Sequence, residues 1–187
     1  MPRVLLGLVV CAGLLSAGAC QSPTSASSTL SVDDFVTAAI SPDPAVAVDS
    51  VGKTYRVVRG NNQPDDILPY SYLTSFSITL TITSGATDDS VDLAFPVTIA
   101  AVSGKVQQAS AGIVTPPTGG EVEHYESVIA QSSGSQFAAV NSTVTMSFQV
   151  WYALPNGRRE ALVTESISLK DADGKTFTKN VDVKVAP

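Results

Sequence analysis

From Phe76 to Thr83 the chain reads Phe-Ser-Ile-Thr-Leu-Thr-Ile-Thr, an apolar residue alternating with a hydroxylated one without a break. A period of two is the pleat of a β-strand, so Phe76, Ile78, Leu80 and Ile82 belong to one face and the hydroxyls to the other. No helix gathers these side chains on one side. Serine and threonine on the wet face keep strand propensity without adding charge. Such a segment commits the chain to a sheet with one face on a core and the other in water.

The pattern recurs in the C-terminal third. Val144, Met146, Phe148, Val150, Tyr152 and Leu154 alternate with more polar neighbours and with Trp151. Pro155-Asn156-Gly157-Arg158 offers a reversal, with Asn-Gly suited to the positive φ angles of a tight turn. Residues 160–170 place Val163, Ile167 and Leu169 on one face. After Asp171-Ala172-Asp173-Gly174-Lys175 come Phe177, Val181, Val183 and Val185. The expectation is an antiparallel meander of three strands.

The middle of the chain is less regular. Residues 91–102 read as a strand whose Pro96 cannot donate to a ladder, which places it at an edge or a bulge. Residues 105–113 and 121–130 read as two further strands around the loop Thr115-Pro116-Pro117-Thr118-Gly119-Gly120. Residues 53–59 form another strand, followed by a polar loop at 61–66. Residues 33–40 suit one short helix or a strand, stopped by Pro42 and Pro44 either way. Seven or eight strands with turns between them, and no long helical periodicity, predict an all-β chain. The expected fold is a single antiparallel β-sandwich, immunoglobulin-like by strand count, over residues 50–187. The Cys…Trp…Cys spacing of true immunoglobulin domains is absent.

The N-terminus carries the address. Arg3 precedes an apolar run from Val4 to about Leu15, then small residues, the layout of a secretory signal. The run is shorter than the roughly 20 apolar residues of a membrane span. Leu15-Ser16-Ala17-Gly18-Ala19-Cys20 resembles the lipobox of bacterial lipoproteins, although Ala17 stands where that family usually has leucine. The resemblance implies cleavage after Ala19, acylation of Cys20 and attachment to a membrane through that lipid. Gln21, which is not aspartate, implies outer-membrane sorting if the host is diderm. Residues 20–31, rich in Ser, Thr and Pro, then read as the lipidated cysteine and a flexible tether, with looseness extending as far as residue 49.

Cys11 leaves with the signal, so one cysteine remains and no intramolecular disulfide is available. The core must hold the domain unaided, and about 140 residues suffice for that. Of eleven Lys+Arg, cleavage removes only Arg3, leaving ten against seventeen Asp+Glu, a formal −7. An acidic domain of this kind does not suit nucleic acid or anionic lipid, so membrane affinity falls to the acyl group.

Few residues are candidates for chemistry. His124, the only histidine, shares a strand face with Glu126, while Glu121, Glu123 and Tyr125 share the other. Two converging groups fall short of the three or four a metal wants, so His124 reads as a surface histidine among solvated acids. Asp171-Ala172-Asp173-Gly174 resembles the opening of a calcium loop, but the position eleven residues on is Asp182 in a strand, where a bidentate glutamate belongs. Asp65-Asp66 and Asp88-Asp89 read as solvated loop tips. Asn141-Ser142-Thr143 fits a glycosylation sequon that carries little weight in a bacterium, and Lys53, Arg56, Arg59, Arg158 and Arg159 are too sparse for a nucleic-acid footprint. Trp151 reads first as a packing residue; because it lies opposite the apolar face of its strand, the alternative is a partly exposed ring beside Tyr125 or Tyr152, a place for a partner or sugar to stack. These readings assign no catalytic, metal or cofactor residue. They favour a non-enzymatic envelope or cell-surface lipoprotein that binds a protein or glycan. An accessory subunit of an envelope assembly is the alternative, and a hydrolase the least favoured.

Overall fold

The structure, a computed structural model, describes residues 31–60, 63–83, 93–109, 120–131, 136–154 and 158–187. Cys20, the signal segment, Asp88-Asp89 and Asn156-Gly157 lie outside the described residues. Within them, a short 3₁₀ turn (Val32–Asp34) leads into eleven strands: β1 (Val36–Ser41), β2 (Ala45–Asp49), β3 (Thr54–Val57), β4 (Asp66–Pro69), β5 (Tyr72–Ile82), β6 (Val97–Gln108), β7 (His124–Gln131), β8 (Gln136–Phe137), β9 (Thr143–Tyr152), β10 (Ala161–Lys170) and β11 (Thr176–Ala186).

The strands form two layers. In one, β9 lies between β7 and β5, and β1 pairs with the far side of β5. In the other the order is β11-β10-β6-β8. β2 joins them, running antiparallel to β5 and parallel to β11, so the sheet curls over on itself. The two layers make a β-sandwich. β3 and β4 form a separate two-stranded ribbon.

Alternation built these layers as expected. Ile78, Leu80, Ile82, Met146 and Phe148 face Val106, Val163, Ile167, Val183 and Val185 in one core. Phe76 and Phe148 stack at 5.2 Å between centroids. On the outer face, hydroxyls pair across strands, Ser77 with Ser147 at 3.0 Å and Thr79 with Thr145 at 2.8 Å. Each such cross-strand pair adds a few tenths of a kcal/mol to about 1 kcal/mol.

Several expectations are corrected. The three-strand meander is only a hairpin: β10 pairs with β11 and β6, whereas β9 pairs with β5 and β7 in the opposite layer. A turn-rich connection reverses direction equally well within a sheet or across a sandwich. The strands expected at 91–102 and 105–113 are one strand, β6, which begins after Pro96 and carries its irregularity opposite Ser168 and Leu169. The polar loop at 61–66 ends in Asp66, which opens β4. The folded region also starts well before residue 50. Ser31 and Asp34 form a capping box, Phe35 and Val36 are buried, and Lys179 of β11 binds Asp33 at 2.5 Å. Residues 33–40 thus supply both a helical turn and a strand.

Candidate functional site

Two groups of residues depart from the rule of apolar inside and hydroxyl outside, and they sit back to back on β7.

The first is on the outer face. Rows of register partners across β5, β9 and β7 begin with small polar groups, such as Ser75, Gln149 and Ser127. One row differs. Val48, Leu73, Trp151 and Tyr125 lie side by side across β2, β5, β9 and β7. Trp151 and Tyr125 are 5.6 Å apart between centroids, and Lys53 Nζ lies 4.4 Å from the Tyr125 ring centre and 5.2 Å from that of Trp151. Both distances are in the cation–π range. Trp151 therefore lies beside Tyr125, and at 9% exposure it is the packing residue expected first and not the partly exposed ring of the alternative; Tyr125 is 45% exposed. The tyrosine and the lysine stem cover the indole. Tyr152 points inward and donates to the Arg159 carbonyl at 2.8 Å.

Lys53 leads into the β3–β4 ribbon, which extends this surface. Its carbonyl accepts from the Tyr70 amide at 3.1 Å, and Tyr55 packs on Tyr70 at 5.0 Å. Burial, with Glu123 and Tyr55 nearby, pushes the Tyr70 phenol above its ordinary range. An open cleft of about 380 Å³ runs beside Tyr55, Ser71, Val122, Glu123, Ala153 and Leu154. Arg56 and Arg59, expected as isolated basic spots, are paired with Asp65 and Asp66. Among the described residues, the exposed large apolar side chains other than Tyr125 all fall in one stretch of chain, on β2, the ribbon and their links: Val46, Val48, Val51, Val57, Val58, Ile67 and Leu68.

The second group is inside. Glu165 occupies an inward position of β10 between Val163 and Ile167 and is 0% exposed. Its register partners are Gly104 on β6 and Val181 on β11. Glu126 faces it from β7, half-buried. A Cβ on Gly104 would fall 2.3 Å from Glu126 Oε2 and 2.9 Å from Glu165 Oε2, so both carboxyls fill the slot that the missing side chain leaves. Neither Glu165 oxygen has a donor, because the group within reach is another carboxyl. Burial and then Glu126 push Glu165 up to about 8. Glu126 is also raised by burial, against the pull of Glu165, a Gly104 backbone hydrogen bond and the His124 charge.

His124 closes the edge of this slot. Its Nε2 is 3.0 Å from the Gly104 carbonyl oxygen and its Nδ1 is 3.1 Å from that of Val122. A neutral imidazole has one N–H, so both contacts are hydrogen bonds only in the doubly protonated ring. The histidine expected on the surface among solvated acids is a clasp from β7 to β6. No group of three or more ligating side chains suits a metal ion among the described residues. In the β10–β11 turn, Asp171 Oδ1 accepts from the Lys175 amide at 2.7 Å, and Asp182 accepts from Thr164 Oγ1 at 2.7 Å. Both carboxylates are thereby drawn into local structure, away from a calcium loop's geometry.

Glu165 was the residue that sequence reading passed over. Its signal was present: a glutamate in the inward register of an otherwise apolar alternation, and a glycine inside a strand, which marks close approach. No protein-family model matches the chain, and no curated protein matches it in sequence.

Proposed function

We propose that the protein is an exported, lipid-anchored, non-enzymatic binding module, held by Cys20 at the cell envelope, whose sandwich engages a protein partner. The observation that carries this reading is that the described exposed large apolar side chains, Tyr125 apart, all fall between Val46 and Leu68, on β2, the ribbon and their links. Single exposed apolar residues need no explanation, whereas their concentration in one part of the fold supports an interaction surface. Its aliphatic members, Val48, Ile67 and Leu68, favour a protein over a glycan, since sugars present hydroxyls that such side chains cannot satisfy. Tyr125, 45% exposed and packed over the covered Trp151, supplies an aromatic anchor of the kind enriched at the centre of protein interfaces. The acids nearest to a catalytic arrangement, Glu126 and Glu165, are packed together against Gly104 with Glu165 enclosed, which leaves no room for a substrate between them.

The test is chemical cross-linking and recovery of tagged full-length protein from its native envelope, alongside Tyr125→Ala and Ile67→Asp. A partner recovered in fixed ratio with the unaltered protein, and reduced at least about tenfold in both variants, is the expected result for an anchor residue. Equal recovery with all three would place the partner elsewhere on the molecule. Binding to envelope glycan fractions with no protein recovered would replace the protein with a sugar.

A further inference from the structure

We propose that Glu126 and Glu165 share a proton that latches β7 to the second sheet, so that losing this proton loosens β7 and takes Tyr125 off Trp151. The structural half stands alone; its meaning for binding rests on reading the outer row as the partner surface.

β7 is the terminal strand of its layer, paired on one side with β9. On the other side Val122 N–H donates to the Val106 carbonyl at 2.9 Å, Gln107 bridges Glu121, and His124 and the Glu126 carboxylate each reach the Gly104 backbone. The carboxyl pair carries the contact from β7 through to β10. Two carboxylates provide no donor, so this contact becomes a hydrogen bond only when one holds a proton. Without the proton, two negative charges would share a slot that Gly104 has already made as wide as the fold allows. Glu165 is enclosed and cannot turn to water, so relief must come from the half-buried Glu126, and hence from β7.

Of the groups around the pair, His124 faces it from β7 and its charge favours an ionised Glu126; the register neighbours Gly104, Val181 and Val150 on β6, β11 and β9 carry no charge, which leaves a shared proton to satisfy the enclosed Glu165. Glu126 and Tyr125 are consecutive residues pointing to opposite faces. A movement of β7 that frees the first therefore displaces the second. The rise of the Glu165 carboxyl to about 8 puts the transition just above neutrality.

Trp151 is the only tryptophan in the chain and lies beneath Tyr125, so its emission reports the latch directly. The experiment is a fluorescence titration of the mature-length protein from about pH 5.5 to 9, below the range where tyrosines ionise. The unaltered protein is expected to show a reversible red shift with a midpoint near pH 8. Glu165→Gln, whose amide supplies a permanent donor, is expected to abolish it. Glu126→Gln, at the half-exposed position, is the second variant should the first not fold, and is expected to do the same. A flat curve in the unaltered protein, or the same shift in a folded variant, would overturn the proposal. So would a calcium- or zinc-dependent shift lost in the variants, because a cation would then be what bridges the pair. If instead the transition is present while Tyr125→Ala retains the partner, the latch stands and the partner surface falls.

Discussion

At the scale of single residues, the telling positions are those where one side chain breaks a local rule. Glu165 breaks the apolar inward register of β10. Its raised carboxyl means that the folded state binds a proton the unfolded chain, at an ordinary value of 4.5, has already released. Stability is therefore fully present below about pH 4.5 and lost as pH rises toward 8. Glu165→Gln should flatten that decline in denaturant melts at a series of pH values; an unchanged slope would mean the proton is not bound there. Gly104 is the matching exception. Gly104→Ala should cost about 1–3 kcal/mol by overpacking, since the added methyl meets carboxyl oxygens at 2.3 and 2.9 Å. A melt unaffected by that change would show that the slot yields freely. Both residues were legible in the sequence once inward positions are counted strictly. What was not legible is that β6, β7 and β10 would bring them together, because that depends on pairing between distant segments.

At the scale of elements, the alternation in β5, β9, β10 and β11 located those strands to within a few residues. It could not say which layer each would join. The same hydrophobic stripe serves β9 beside β5 and would have served it beside β10. β2 and β4 escaped notice for a different reason: they are short, flanked or closed by proline, and stabilised by pairing, not by their own composition. The β10–β11 hairpin was read correctly, and its turn rests on Gly174 at φ +88°, Asp171 having drawn its carboxylate onto the Lys175 amide. Gly174→Ala should lower stability by about 1 kcal/mol, measured as a shift in the denaturant midpoint without a change in slope. A neutral result would mean that the turn accepts another conformation. The outer aromatic row was half legible. The position of Trp151 opposite its strand's apolar face was plain, but its covering by Tyr125 and Lys53 required β7 and the ribbon to be placed around it.

For the whole molecule, the described residues are already folded at Ser31, so a tether running from Cys20 to that point would have about ten residues and an r.m.s. reach of roughly 18 Å. The binding region proposed here would then lie close to the envelope surface. Cys20→Ala should abolish incorporation of labelled fatty acid and release the protein from the membrane fraction; retained label would refute the lipid anchor. The topology also fixes how such a module would bear load. β1 and β2 come first in the described chain and β7 lies beyond β5 and β9, so tension between an anchored N-terminus and a partner held at Tyr125 enters through β1 and β2, along their length, and passes on to β5. β1 lies against six successive residues of β5, and β2 is gripped by β5 on one side and β11 on the other. A pull along those ladders shears their hydrogen bonds together instead of unzipping them one at a time. The residues nearest the membrane would thus form a mechanical clamp, and resistance to extension would be greatest where the chain leaves its anchor.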